Sequence, residues 1–164
     1  MMISGRVIKL GDNVNTDVIC PGKYLVITDP LELAKHACEG IDSSLAKRLS
    51  GTIIVAGKNF GCGSSREHSP LALKYAGVKG ILVESSARIF FRNSINIGLP
   101  VLECSGILNS VEEGDLLELN LETGLVTNQS REMTFTASKL PRFLQDILDN
   151  GGLIEHLKKK RRQK

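Results

Sequence analysis

The chain contains no tryptophan, and aromatic residues make up only 4% of its 164 positions. A core built from it must be aliphatic, filled by Ile, Leu and Val rather than by stacked rings. No apolar run approaches the ~18 residues needed to cross a bilayer, which excludes a transmembrane helix. The opening Met1-Met2-Ile3-Ser4-Gly5 is too short in apolar residues to read as a secretory signal. The four cysteines, Cys20, Cys38, Cys62 and Cys104, form no C-x-x-C pair. That spacing matches no zinc motif and no secreted disulfide framework, so free thiols in a reducing cytoplasm are expected. Two glycine signatures are missing as well. No G-x-x-x-x-G-K-S/T occurs, and after Gly61-x-Gly63 the third glycine of a dinucleotide fingerprint would fall at Arg66.

What is there is one domain's worth of chain, 41% hydrophobic and 24% charged, a composition that describes a globular protein. Residues 1–157 are expected to form that domain. The net charge of +3 owes much to the last residues, Lys158-Lys159-Lys160-Arg161-Arg162-Gln163-Lys164. With no aromatics among them, residues 158–164 are expected to be a disordered, solvated tail rather than a nucleic-acid contact.

One stretch concentrates chemistry: Asn59-Phe60-Gly61-Cys62-Gly63-Ser64-Ser65-Arg66-Glu67-His68-Ser69-Pro70. The β-branched run Thr52–Ala56 leads in and the helical run Leu71–Ala76 leads out, which puts these polar groups at the carboxyl end of a strand, where α/β sheets bind ligands. Glycines allow close backbone approach, and successive amides entering a helix form an electropositive nest for an anion. Ser64 and Ser65 add hydroxyls, Arg66 adds a planar fork for a carboxylate or phosphate, and Glu67 and His68 can tune them. The structural alternative is a capping box, Ser64-x-x-Glu67. It would bury Pro70 inside the helix against the carbonyl of Arg66. Ser69 as cap with Pro70 at the first helical position is the easier solution, leaving Ser64, Ser65 and Arg66 in the approach loop.

Along the chain, residues 4–10 read as a strand and residues 11–16 as a polar turn, with Asp17 a turn or cap residue. Residues 23–28 are strand-prone. Asp29-Pro30 opens a helix that Gly40 ends, with Leu31, Leu33, Ala34, Ala37 and Cys38 on one face. Residues 80–84 form a strand, Ser85-Ser86 can cap a helix over residues 87–96, and residues 99–103 form another strand. That strand–helix alternation requires parallel strands with right-handed crossovers. Arg88, Phe90 and Arg92 read as surface and packing residues of the second of these helices. Alternating residues 116–122 and the segments at 125–127 and 133–136 add a β-meander, and a last helix follows Pro141.

The block Gly63-Ser64-Ser65-Arg66-Glu67-His68, together with the upstream block Gly11-Asp12-Asn13-Val14-Asn15-Thr16-Asp17-Val18-Ile19-Cys20-Pro21, resembles the swivelling domain of the aconitase superfamily. Over residues 3–156 the chain is similar to the small subunits of 3-isopropylmalate dehydratases. The resemblance implies an α/β fold of three-layer β/β/α type, with a mixed, mostly parallel sheet and an added meander. It implies a hydro-lyase that interconverts 2- and 3-isopropylmalate in leucine biosynthesis. Ser64 would be the base, and Ser65, Arg66 and Asp17 would bind a malate-type dicarboxylate. Gly63, Glu67 and His68 would support them, and Leu25, Val26, Ile27 and Thr28 would form the substrate-specificity loop. Homoaconitase-like relatives carry an arginine near position 26 for a third carboxylate; the apolar loop here favours isopropylmalate, with a related dehydratase of homoaconitase, dimethylmalate or citramalate type as the alternative. The 4Fe–4S cluster of such enzymes needs three cysteine ligands, normally including a C-x-x-C pair that this chain lacks. No cofactor is therefore expected on this chain, and a large subunit carrying the cluster is the expected partner. Ser69 departs from the alanine usual in the family. A stand-alone anion-binding module and a nucleic-acid binder are the rival classes. Whether the isolated chain self-associates stays open.

Overall fold

Every residue of Thr52–Ala56 is buried, so this strand is covered on both faces and belongs at the centre of a sheet. The computed structural model describes residues 1–162 and places it there. The strands are β1 (Met2–Lys9), β2 (Thr52–Ala56), β3 (Gly80–Val83), β4 (Val101–Glu103), β5 (Leu116–Asn120), β6 (Leu125–Asn128) and β7 (Met133–Thr136). The helices are α1 (Thr16–Ile19), α2 (Pro30–Ala34), α3 (His68–Tyr75), α4 (Arg88–Asn96), α5 (Ile107–Ser110), α6 (Arg142–Asp149) and α7 (Leu153–Arg162).

All seven strands join one sheet in the order β4-β3-β2-β1-β5-β6-β7. The β1–β2, β2–β3 and β3–β4 pairs are parallel, and β1–β5, β5–β6 and β6–β7 are antiparallel. This is the expected α/β fold with a mixed sheet and a meander. Side chains alternate between two apolar clusters. Ile8, Ile54, Ala56, Ile81 and Val83 pack with Ile19, Leu33 and Leu73 beneath α1, α2 and α3. Val7, Ile53, Val55 and Leu82 share the other cluster with Leu117, Leu119 and Val126 of the meander and with Ile147 and Leu148 of α6. Each fully buried aliphatic side chain contributes about 1.5–3 kcal/mol, so the aliphatic layers carry the fold without tryptophan.

Five local expectations are corrected. Residues 23–28 form no strand: a 3-10 turn at Gly22–Tyr24 continues into turn hydrogen bonds from Leu25 N to Gly22 O and from Ile27 N to Tyr24 O. This run packs on the helical face of the sheet, where no strand edge is free to pair with it. Helix α2 stops at Ala34 rather than at Gly40, and Leu31 is exposed instead of facing the core. Helix α3 begins at His68, so Ser69 is no cap and Pro70 is its third residue. An N–H is unpaired anywhere in the first turn, which is why proline is tolerated there. Ser85 and Ser86 do not cap α4, whose N-cap is Ala87; Ser85 Oγ accepts from Asn59 N, and Ser86 bonds Glu103. Residues 158–162 continue α7 instead of forming a disordered tail, with Lys158 bonded to Glu155 one turn back. Gln163 and Lys164 lie outside the described residues.

Candidate active site

The loop after β2 is built by pairing with the loop after β1. Asn13 N donates to Lys58 O, Gly61 N to Val14 O and Thr16 N to Cys62 O, each at 2.8 Å. Asn15 and Cys62 form an isolated parallel bridge. The two polar blocks, some 45 residues apart in the chain, thus run side by side at the carboxyl ends of β1 and β2.

Thr16 is the knot between them. It is 3% exposed, and its hydroxyl accepts a hydrogen bond from Ser64 N at 2.9 Å. Its carbonyl accepts from the Ser69 hydroxyl at 2.9 Å, so the serine that departs from the usual alanine adds a third tie. Next to it, the side chain of Asn15 caps α1 by accepting from Asp17 N at 2.8 Å. Gly63 lies against this cap with φ +103°, and a Cβ there would stand 2.5 Å from Asn15 Oδ1. Gly61, at φ +76°, would drive a Cβ into the Phe90 ring. Both positions therefore require glycine, on conformation and on space.

Ser64 is half-buried and, with Gly61 and Gly63, lines a cleft of about 950 Å³ that also takes in Arg88 and Arg92 of α4 and Lys139. Its hydroxyl is also 3.4 Å from Arg66 N. Ser65, Arg66 and Glu67 are exposed, and Ser65 O accepts from Asn93 Nδ2 at 2.9 Å. Arg66 and Asp17 sit together around Cys20. Burial pushes the Cys20 thiol up most, Arg66 pulls it down and Asp17 pushes it up. At neutral pH it stays a protonated thiol, not a nucleophile. His68 opens α3 with a buried Nδ1 that has no hydrogen-bond partner among the described residues. Of the residues expected in the site, Ser64 and Gly63 line the cleft. Arg66 follows on the same loop with Asp17 near it. Leu25 and Ile27 pack on the helical face while Val26 and Thr28 are exposed, and none of the four lines the cleft.

Thr16, Asn15, Arg88 and Arg92 were not among the expected site residues. The i,i+4 spacing of the arginines puts both on one helix face and was legible; the Thr16 hydroxyl bond was not. The thiols are dispersed, with Cys20 and Cys38 in one apolar cluster and Cys104 in the other. Among the described residues no group of three or more His, Cys, Asp or Glu could hold a metal ion. This donor set does not fit an iron–sulfur cluster. No helix among the described residues is long and apolar enough to cross a membrane.

A parallel half-sheet extended by a meander, with two loops knotted at its strand ends, is the architecture of an aconitase C-terminal domain, and the family model of that description matches residues 44–106. The isopropylmalate/citramalate isomerase small subunit of Methanocaldococcus jannaschii is 54% identical over 97% of this chain and 95% of its own length. The 3-isopropylmalate dehydratase small subunit of Halothermothrix orenii is 52% identical over 96% of each chain. The crystal structure of a 3-isopropylmalate dehydratase from M. jannaschii superimposes with a TM-score of 0.92 at 42% identity, covering 98% of this chain and 96% of that one. The chain belongs to the 3-isopropylmalate dehydratase small-subunit family.

Proposed function

We propose that this chain is the small subunit of a hydro-lyase that interconverts 2-isopropylmalate and 3-isopropylmalate by removing and re-adding water, in an active site shared with a larger subunit. The observation that carries the reading is the Thr16–Ser64 knot, which brings the two family blocks into one loop pair beside an open cleft. The reaction takes a proton from carbon and a hydroxide from its neighbour, then returns both in exchanged positions. Ser64 Oγ accepts the carbon-bound proton and later gives it back. A serine hydroxyl is a poor base, so its anion needs the loop amides and the Arg66 guanidinium nearby. Arg66 clamps a substrate carboxylate with two parallel N–H donors, Ser65 donates a further hydrogen bond, and Asp17 balances the guanidinium charge. Gly63, Glu67 and His68 hold these groups in place. A 4Fe–4S cluster on the large subunit would supply the Lewis acid that this chain's own residues lack.

The turn at 25–28 sets the substrate's alkyl group. Val26 is 84% exposed, an apolar side chain held out for a partner to cover. Burying an isopropyl group there is worth about 1.5–3 kcal/mol, whereas an unpaired third carboxylate would cost several. Citramalate is a second substrate favoured by the name of the M. jannaschii relative. The thiols of Cys20, Cys38, Cys62 and Cys104 are all free, which suits a reducing cytoplasm.

The test is anaerobic co-expression with the cluster-bearing subunit, following alkene absorbance with isopropylmalate, citramalate and homocitrate side by side. Turnover of the first two is expected only with both chains present, and Ser64→Ala is expected to abolish it. Turnover by the isolated chain in iron-free buffer, or a fully active Ser64→Ala enzyme, would overturn the reading.

A further inference from the structure

Glu39 gathers more side-chain contacts than its place on a surface turn requires. The Tyr24 hydroxyl donates into the fork of its carboxylate, 2.6 and 2.7 Å from the two oxygens. His36 Nδ1 stands 2.8 Å from Oε2 and carries the proton of that hydrogen bond, since a carboxylate only accepts. Lys23 Nζ donates to Oε1 at 3.0 Å. The rings of Tyr24 and His36 stack with centroids 3.8 Å apart, and the Lys23 ammonium lies 4.7 Å from the Tyr24 centroid. Hydrogen bonds from Tyr24, then His36 and Lys23, hold the Glu39 carboxyl down to about 2.

The backbone on either side of Glu39 is fastened to α1. Cys38 N donates to Ile19 O at 2.7 Å and Gly40 N to Val18 O at 3.0 Å. Cys38 is itself held at φ +61°, a conformation unfavourable for a residue with a Cβ that persists only because its surroundings impose it. Gly40 packs so closely that a Cβ would meet Val18 Cα at 2.5 Å. One carboxylate thus joins the 22–28 turn to α1, the helix whose first residue, Thr16, accepts from Ser64 N.

We infer that Glu39 is a positioning residue: it holds the 22–28 turn in register with α1 and the Ser64 loop, and so fixes where Leu25, Val26 and Ile27 meet the alkyl group of the substrate. This rests on the dehydratase reading and on that turn as its specificity loop. Without the clamp, the turn keeps its local backbone bonds from Tyr24 N, Leu25 N and Ile27 N and the packing of Tyr24, Leu25 and Ile27 on the helical-face cluster. Val26 at its tip stays exposed, and the turn has lost its one set of charge-assisted ties, so it opens more readily.

Glu39→Gln, which keeps the shape and removes the charge, and Tyr24→Phe, which removes the donor, test this. In the isolated full chain, hydrogen exchange at the amides of Tyr24, Leu25 and Ile27 is expected to speed up by about tenfold, the scale of losing one charge-assisted hydrogen bond. Exchange at Ile54 and Ile81 in the sheet is expected to stay unchanged. In the two-subunit enzyme, KM for 3-isopropylmalate is expected to rise by a similar factor with kcat within about twofold, because uniform binding is lost and the reacting groups are not. The preference for isopropylmalate over citramalate is expected to shrink. Unchanged exchange at the turn would overturn the clamp. Faster exchange with unaltered KM and unaltered preference would overturn its link to substrate choice. If the wild-type two-subunit enzyme turns over neither acid, the dehydratase reading falls and takes the substrate half of the proposal with it, while the exchange result still decides the clamp.

Discussion

Replacing Thr16 by valine keeps the shape of the side chain and removes only its oxygen. The Ser64 N–H, 2.9 Å from that oxygen, then loses its partner in a half-buried position. An orphaned amide costs about 1–3 kcal/mol, and partial solvent access puts this one at about 1–2. The backbone bonds of Thr16 to Cys62 O and from the Ser69 hydroxyl survive the change, so the chain is expected to fold. For a domain of this size, 1–2 kcal/mol lowers Tm by about 2–8 °C. Turnover should fall much further. Ser64 is held by this bond on a glycine-flanked loop, and a displacement of 1 Å at a reacting group costs about a hundredfold. The assay pairs thermal unfolding of the isolated chain with anaerobic reconstitution and alkene absorbance. Thr16→Ser keeps the oxygen and is expected to retain most of the activity. If Thr16→Val turned over substrate like wild type, or if Thr16→Ser lost as much as Thr16→Val, the hydroxyl would not be what positions Ser64.

Arg66 is exposed and has no carboxylate within ion-pair distance among the described residues. Arg66→Lys is therefore expected to leave stability within about 0.5 kcal/mol while cutting turnover by about 10²–10³-fold, the scale of losing a preorganised donor; unfolding curves and steady-state kinetics check both halves. Gly61→Ala would place a methyl against the buried Phe90 ring at a positive φ, and about 2–5 kcal/mol of destabilisation is expected from strain and overpacking together, read as a lowered urea midpoint. For acid, the sign follows from Glu39, whose carboxyl is depressed from 4.5 to about 2 on folding. Its contribution is fully present above the unfolded value and is lost as pH falls through that window. The Tm difference between wild type and Glu39→Gln should accordingly be constant above pH ~5 and close as the pH drops toward 2.

Chain order and periodicity were enough for the central architecture. The uninterrupted apolar runs of β2 and β3 have the composition of strands buried on both faces, and the alternation of β5 marks a strand with one wet face, as its burial bears out. Residues 23–28 show where pattern reasoning stops. Their strand propensity is real, but a strand needs an edge to pair with, and this run lies over the helical face where hydrogen bonds turn back on the chain itself. The serines at 85 and 86 were equally ambiguous: a hydroxyl can serve a helix end or a neighbouring loop, and here Asn59 and Glu103 took them.

Residue identities alone determined which chemistry is available: a serine and a guanidinium beside glycines, thiols too scattered to bind a cluster, and two polar blocks in the order of one family. Only the tertiary structure decided that those blocks touch. The contact runs through the hydroxyl and backbone of Thr16, and its cause is the parallel pairing of β1 with β2, which lays the loops that follow them side by side. Pairing between segments distant in the chain depends on the burial of whole strand faces, and no local spacing records it. The same holds for Glu39, an ordinary surface glutamate in the one-dimensional pattern, whose partners converge only because the chain folds back onto α1.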